Sequence, residues 1–219
     1  YSSMIMKSRG LIVFFLLLTL GSSSFGQIAQ WDHDILYNIQ QHRTPAWDVT
    51  MRCVSNSLIL APVVPATLYG VGKLEADESL IHSGAQGSCS FVLSSGVMMG
   101  MKYLCGRKRP YLQYDDLCSV TTEGSPSFPS GHTSMAFSTA TSLCLQYPRW
   151  YVVAPSLLWA SAVGFSRMYL GVHYPSDVLV GACLGIATAW ITWRLQQERL
   201  EEMQMPEWKG VVVPLVLRF

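Results

Sequence analysis

The chain has 219 residues, half of them hydrophobic and only 13% charged, which excludes a solvated coil and leaves room for one domain with a full core. Lys and Arg together number 15 against 14 for Asp and Glu, and so even a balance argues against a nucleic-acid binder, which carries a basic excess. Any charge on a substrate must be met locally.

The first segment has a basic start at Lys7 and Arg9, an apolar block from Leu11 to Leu20, and small residues at Ser24 and Gly26. That order predicts a secretory signal cleaved after Gly26. The alternative is a retained anchor, although ten apolar residues fall short of the ~20 that span a bilayer. Either way, the remainder of the chain is exported. The organisation expected is therefore 1–26 as signal or N-terminal anchor, 27–199 as one helical bundle and 200–219 as a tail. Trp31 to Arg43 carries Ile35, Leu36 and Ile39 among Asp, Gln and His, the spacing of an amphipathic helix on a surface or membrane interface. Thr44-Pro45 ends it.

Five stretches then lack Asp, Glu, Lys and Arg altogether: 53–72, 84–101, 124–148, 150–166 and 178–193. Their lengths lie between those of buried core helices and membrane spans. Ser88, Ser90, Ser94, Ser95 and Gly96 dilute the hydropathy of the second, yet small residues are what lets membrane helices approach closely. The fold class expected is all-α, a membrane-integrated helical bundle whose active site lies at the helix ends. Trp31, Trp47, Trp150, Trp190 and Trp193 read as core or interface aromatics. Near the C-terminus, Val211 to Leu217 reads as an extended segment.

The six cysteines form no CxxC pair and no Cys/His cluster at zinc spacing. Cys53, Cys89, Cys105, Cys144 and Cys183 sit in or beside apolar stretches and read as small buried hydrophobes. Cys118 lies in a polar loop, where a bridge to Cys105 is conceivable in an oxidising compartment.

The polar residues concentrate between the apolar stretches, in three clusters. Lys102 is followed after six residues by Arg109-Pro110; then comes Pro129-Ser130-Gly131-His132; then Ser166-Arg167, five residues, His173, three residues and Asp177. Three fixed cations, Lys102, Arg109 and Arg167, can surround an oxyanion, the arginines presenting planar forks that match phosphate oxygens. Pro129-Ser130-Gly131 stands before the apolar run from Met135, so a helix start there would add backbone N–H donors and the Ser130 hydroxyl. His173 and Asp177 are four apart. That spacing lets the carboxylate take the Nδ1 proton and aim Nε2 at a phosphorus atom, leaving His132 for general acid work. His33, His42 and His82 have no such partners.

With these residues in this order, the chain resembles the type 2 phosphatidic acid phosphatase superfamily, which includes lipid phosphatases, bacterial acid phosphatases and vanadium haloperoxidases. The three signature motifs stand at Lys102 to Pro110, Pro129 to His132 and Ser166 to Asp177, and the helical pattern fits from about residue 32 to 197. The resemblance implies a metal-independent phosphatase, without a cofactor, in which His173 forms a phosphohistidine, Asp177 activates it and His132 protonates the leaving group. Lys102, Arg109, Ser130, Gly131 and Arg167 would hold the phosphoryl oxygens. Upstream there is one departure: a single apolar span precedes the one with Lys102, where six-span members have two, so five long helices plus the amphipathic one are expected. The expected substrate is a membrane lipid phosphate or diphosphate, met at the bacterial cell envelope with the site facing the periplasm. A soluble periplasmic acid phosphatase is the alternative.

Overall fold

A computed structural model describes residues 21–204; the apolar block Leu11 to Leu20 and the extended segment Val211 to Leu217 lie outside the described residues. The described chain is helical, in the order α1 (Gly21–Gln41), α2 (Pro45–Asn56), a single 3-10 turn (Ser57–Ile59), α3 (Leu60–Glu75), α4 (Glu78–Cys105), α5 (Pro110–Gln113), α6 (Gly131–Gln146), α7 (Trp150–Tyr169) and α8 (Pro175–Gln204). With α2 and α3 running on through the 3-10 turn, this gives the five long rods expected plus the amphipathic α1. Helix α1 is continuous across Gly26 and Gln27, and α8 continues to Gln204.

Local chemistry sets the breaks. Thr44 caps α2 by accepting from the Trp47 N–H at 3.3 Å, with Pro45 in the first turn. Asp77 caps α4 through the N–H groups of Ser79 and Leu80 at 2.9 and 3.2 Å. At the other end of α4, Gly106 adopts φ +57° and its N–H closes on the Lys102 carbonyl at 3.0 Å. Glycine takes this left-handed conformation without a Cβ penalty, so the helix stops there and the chain turns towards Arg107 and Arg109. The uncharged stretch 124–148 is only partly helical, because Pro126 and Pro129 keep its first residues in a loop until Gly131.

The bundle is polar inside and apolar outside. Helices α4 and α6 meet along three polar pairs one turn apart: Ser94 with Ser134 at 2.7 Å, Ser90 with Ser138 at 2.6 Å, and Gln86 with Ser142 at 3.2 Å. Ser90, Ser94, Ser134 and Ser138 are fully buried. Ala136 and Ala140 of α6 pack against Ala160 and Val163 of α7. Large apolar side chains point the other way: Val92, Leu158, Leu179, Trp190 and Leu195 are all more than half exposed. Two helical stretches, Pro45–Glu75 and Pro175–Glu202, are long and apolar enough to cross a bilayer. The surface is one that water disfavours and hydrocarbon covers.

This arrangement corrects the reading of the cysteines. Cys53, Cys89, Cys105, Cys118 and Cys183 are exposed, Cys144 is intermediate, and none is in a disulfide. Apolar neighbours signal burial only when the exterior is aqueous; here the apolar faces turn outward. Trp31, Trp47 and Trp150 are likewise exposed, as interface aromatics, whereas Trp190 is exposed halfway along α8.

Helices α6 and α8 approach closely. A Cβ at Gly181 would lie 2.6 Å from the Ser130 carbonyl oxygen, and one at Gly185 only 2.3 Å from that of Ser134. These glycines, four apart on α8, bring the N-terminus of α6 beside that of α8, where the Ser130 N–H donates to the Asp177 carbonyl at 3.1 Å. Gly185→Ala is therefore expected to destabilise the fold by ~1–3 kcal/mol, the usual cost of overpacking, with a lower unfolding temperature in detergent. An unchanged melt would show that the helices can separate freely.

Candidate active site

The ends of α4, α6, α7 and α8 meet beside two loops, 106–130 and 170–174, and the three polar clusters come together there. His173 is buried in the second loop. Its Nε2 lies 3.4 Å from Arg109 Nη1, and its Nδ1 lies 3.5 Å from both Asp177 Oδ2 and Ser127 Oγ. The imidazole thus stands between a guanidinium and a carboxylate. Asp177 is in the first turn of α8, where Pro175 favours a helix start. Its Oδ2 accepts the Ser127 hydroxyl at 2.5 Å and reaches back to the Tyr174 N–H at 3.0 Å, the residue just ahead of the helix. Its Oδ1 accepts Arg107 Nη1 at 2.7 Å. The contact with His173 is the longest of the four.

The three expected cations are buried around the same place. Arg109 donates from Nε to the Ser125 carbonyl and from Nη1 to that of Val172, both at 2.8 Å. Lys102 Nζ donates to the Pro126 carbonyl at 2.5 Å, an oxygen 3.5 Å from Arg109 Nη2. Arg167 reaches Ser55 Oγ at 2.5 Å and forms an ion pair with Glu123, while its buried Nε has no partner among the described residues. Neutral carbonyls hold Lys102 and Arg109 in position without neutralising them, which leaves their charge for an anion.

At the start of α6, the Ser130 hydroxyl bonds Thr133 Oγ1 at 2.8 Å and does not cap the helix. The N–H groups of the first turn, beginning at Gly131, have no acceptor within the helix itself. His132 is half-buried and makes no hydrogen bond among the described residues. It opens on a cavity of about 390 Å³ with Ser55, Leu58, Pro62 and Phe91. His33, by contrast, pairs with Asp116 at 2.9 Å, outside this cluster.

Electrostatics push both histidines in the same direction. Burial lowers His173 to about 4, an effect that its hydrogen bond to Asp177 only partly offsets. At neutral pH the ring is uncharged and nucleophilic. His132, at the loop end of α6 and outside both spans, is pushed down to about 3, first by burial and then by Arg167. Negative charge brought beside that ring would raise its affinity for a proton. Glu123 is held below the usual carboxylate range by Arg167 and Arg109, against the opposing effect of burial.

Sequence spacing did not reveal Ser55, Glu123 and Ser127, nor the pair Asp32 and Arg107 that joins Asp177. Glu123 and Ser127 belong to the loop before the second cluster, but nothing local marks them. Asp32 bonds the Ser176 N–H at 2.9 Å across 144 positions, a partnership without a sequence signal.

A buried imidazole backed by a carboxylate, amid three buried cations, is an arrangement suited to holding an oxyanion such as a phosphoryl group. The chain belongs to the PAP2 superfamily, whose sequence model matches residues 87–201. Lipid A 4'-phosphatase of Bacteroides thetaiotaomicron is 25% identical over 181 residues, covering 79% of this chain and 80% of that protein. An undecaprenyl-diphosphatase of Sulfolobus acidocaldarius is 31% identical over 105 residues, 48% of this chain and 49% of that one. Among solved structures, Aquifex aeolicus LpxE superposes with a TM-score of 0.63 at 27% identity, over 74% of this chain and 93% of its own. A transmembrane PAP2-type phosphatidylglycerolphosphate phosphatase from Bacillus subtilis does so with a TM-score of 0.67 at 24% identity, over 87% and 96%.

Two outcomes are expected from the geometry. The acid limb of kcat/KM should fall near pH 4, because His173 loses its nucleophilic lone pair only below its depressed value. A limb near 6.5 would mean that the ring is solvated. Glu123→Gln should tighten inhibition by orthovanadate about tenfold, the ratio that one charge-assisted hydrogen bond to Arg167 represents. Weaker inhibition would make Glu123 a support of the anion site and not a competitor for it.

Proposed function

We propose that the protein is a metal-independent phosphatase of membrane lipid phosphates or diphosphates, working through a phosphohistidine at His173. Lys102, Arg109 and Arg167 hold the phosphoryl oxygens, helped by the helix start at Ser130 and Gly131. The His173 Nε2 lone pair forms an N–P bond as the P–O bond to the lipid breaks, and the proton on His132 passes to the departing oxygen. Asp177 faces Nδ1 and stabilises the charge that the ring acquires. Water then attacks phosphorus, gives a proton to His132 and releases phosphate, restoring neutral His173.

The observation that carries this reading is the juxtaposition of His173, Asp177 and Arg109 at the ends of helices whose outer faces are apolar. That exterior favours a membrane enzyme over a soluble acid phosphatase. The cavity at His132 is lined largely by apolar side chains, so the leaving group, and with it the lipid, departs on that side. We further infer a place in the bacterial cell envelope with the site facing the periplasm, supported by the signal-like start at Lys7 to Gly26. The substrates in the relatives' names, lipid A phosphates, undecaprenyl diphosphate and phosphatidylglycerolphosphate, share the phosphoryl group that the site addresses and differ beyond it.

The test compares two leaving groups. His173→Ala should abolish turnover of phosphatidic acid and of p-nitrophenyl phosphate alike, since neither can form the N–P bond. His132→Ala should lose about 10²–10⁴ on the lipid, whose alkoxide needs a proton, and distinctly less on the nitrophenyl ester. Both reactions should continue in excess EDTA. Equal damage to both substrates in His132→Ala, with activity left in His173→Ala, would reverse the assignment; activity restored only by added metal would refute the chemistry.

A further inference from the structure

The catalytic steps leave two charged groups beside the site without a task. Arg107 lies over the Tyr174 ring, its Cζ 3.8 Å from the centroid. One arm donates from Nη1 to Asp177 Oδ1 at 2.7 Å and to Ser176 Oγ at 2.8 Å; the other donates from Nη2 to Asp32 Oδ2 at 2.7 Å. Asp32, on α1, is only 2% exposed and also accepts the Ser176 N–H at 2.9 Å and the Ser176 hydroxyl at 2.5 Å. These contacts form an unbroken chain, Asp32 to Arg107 to Asp177 to His173. Neither Asp32 nor Arg107 has a hydrogen bond to Lys102, Arg109, Arg167 or either site histidine among the described residues.

We propose that Asp32 and Arg107 are positioning residues for phosphoryl transfer: Arg107 fixes the Asp177 carboxylate against His173, and Asp32 balances Arg107 so that Asp177 keeps its negative field. The proposal rests on His173 being the nucleophile. Its physical basis is a charge count around that ring. The charged and titratable groups around His173 are Arg109 from the loop, Arg167 from α7 with Glu123 behind it, His132 from α6, Asp177 from α8, and Lys102 from α4, which shares the Pro126 carbonyl with Arg109. When Nε2 takes the phosphoryl group the ring becomes cationic, and Asp177 is the one carboxylate in contact with it among the described residues. Paired with Arg107 alone, that carboxylate would be electrically cancelled. With Asp32 on the far side of the guanidinium, the three groups together carry one net negative charge.

Asp32 is one of several anchors of α1. His33 bonds Asp116, Gln40 accepts the Cys118 N–H at 2.8 Å, and Leu36 is buried against Leu117 and Tyr174. Just past the helix, Arg43 donates to the Cys118 carbonyl at 2.8 Å. These contacts remain in an Asp32→Asn variant, which keeps the shape of the side chain and removes its charge.

The experiment uses the full chain in detergent micelles with short-chain phosphatidic acid as substrate. Asp32→Asn should lower kcat about 10–100-fold, the usual effect of losing a partner behind a reacting group, with KM and the vanadate inhibition constant within about twofold of wild type. Asp32→Glu should recover much of the loss. The pH profile carries the signature: Asp32→Asn should move the acid limb of kcat/KM down and Arg107→Gln should move it up, because one removes a negative and the other a positive charge from the same chain. The double variant should lose less than the product of the two single losses. Wild-type kcat in Asp32→Asn, limbs that move in the same direction, or KM and vanadate inhibition weakening in step with kcat would each overturn the relay. If Asp32→Asn does not fold, Ser176→Ala takes its place; it keeps all three charges while removing their shared hydroxyl, and must lower kcat about fivefold at unchanged KM. His173→Ala, run alongside, separates the two claims: activity there overturns the nucleophile and the relay together, whereas its loss beside a normal Asp32→Asn overturns the relay alone.

Discussion

The active end of the bundle depends on a carboxylate, Asp177, buried at the start of α8 where four groups from two loops converge on it. Ser127 and Arg107 from the loop 106–130, and the Tyr174 backbone and His173 from the loop 170–174, all address its two oxygens. A buried charge is tolerated only when its lone pairs are met, and here each partner also serves to locate a segment. Remove the carboxylate, and the loop, the His173 ring and the helix start lose their common reference. The Ser130 N–H on the Asp177 carbonyl extends the same control to α6, and hence to His132.

That convergence is possible because the rest of the bundle is built for close approach. Glycines on α8 and hydroxyl pairs between α4 and α6 bring backbones together without large side chains, and the hydroxyls satisfy one another. The large apolar residues are consequently free to face outward. One design choice thus produces both the membrane-facing exterior and a cage of cations at the helix ends, where carbonyl oxygens can hold Lys102 and Arg109 without cancelling them.

Much of this was legible in the sequence, for a physical reason. Lys102, Arg109, Ser130, His132, Arg167, His173 and Asp177 stand at or beside helix ends, so their spacing in the chain encodes their geometry in space. The five long rods were readable from the uncharged stretches. Residues that act by long-range pairing were not: Asp32 meets Ser176 and Arg107 through the docking of α1, and Glu123 finds Arg167 from a loop with no period. The cysteines misled because hydropathy reports a preference for apolar surroundings and cannot say whether protein or lipid supplies them. Similarly, the uncharged loop before Gly131 resembles a span by composition, yet its prolines exclude a helix.

The central claim is that His173 carries the phosphoryl group during turnover. Its most direct test is rapid quenching of the enzyme with a substrate bearing a radiolabelled phosphoryl group, followed by protein digestion and analysis of the labelled peptide. The account predicts a label on His173 that is stable in alkali and lost in acid, as a phosphoramidate is, and absent from His173→Ala. A label on another residue, or full turnover with no labelled protein at any quench time and water attacking the lipid phosphate directly, would contradict it.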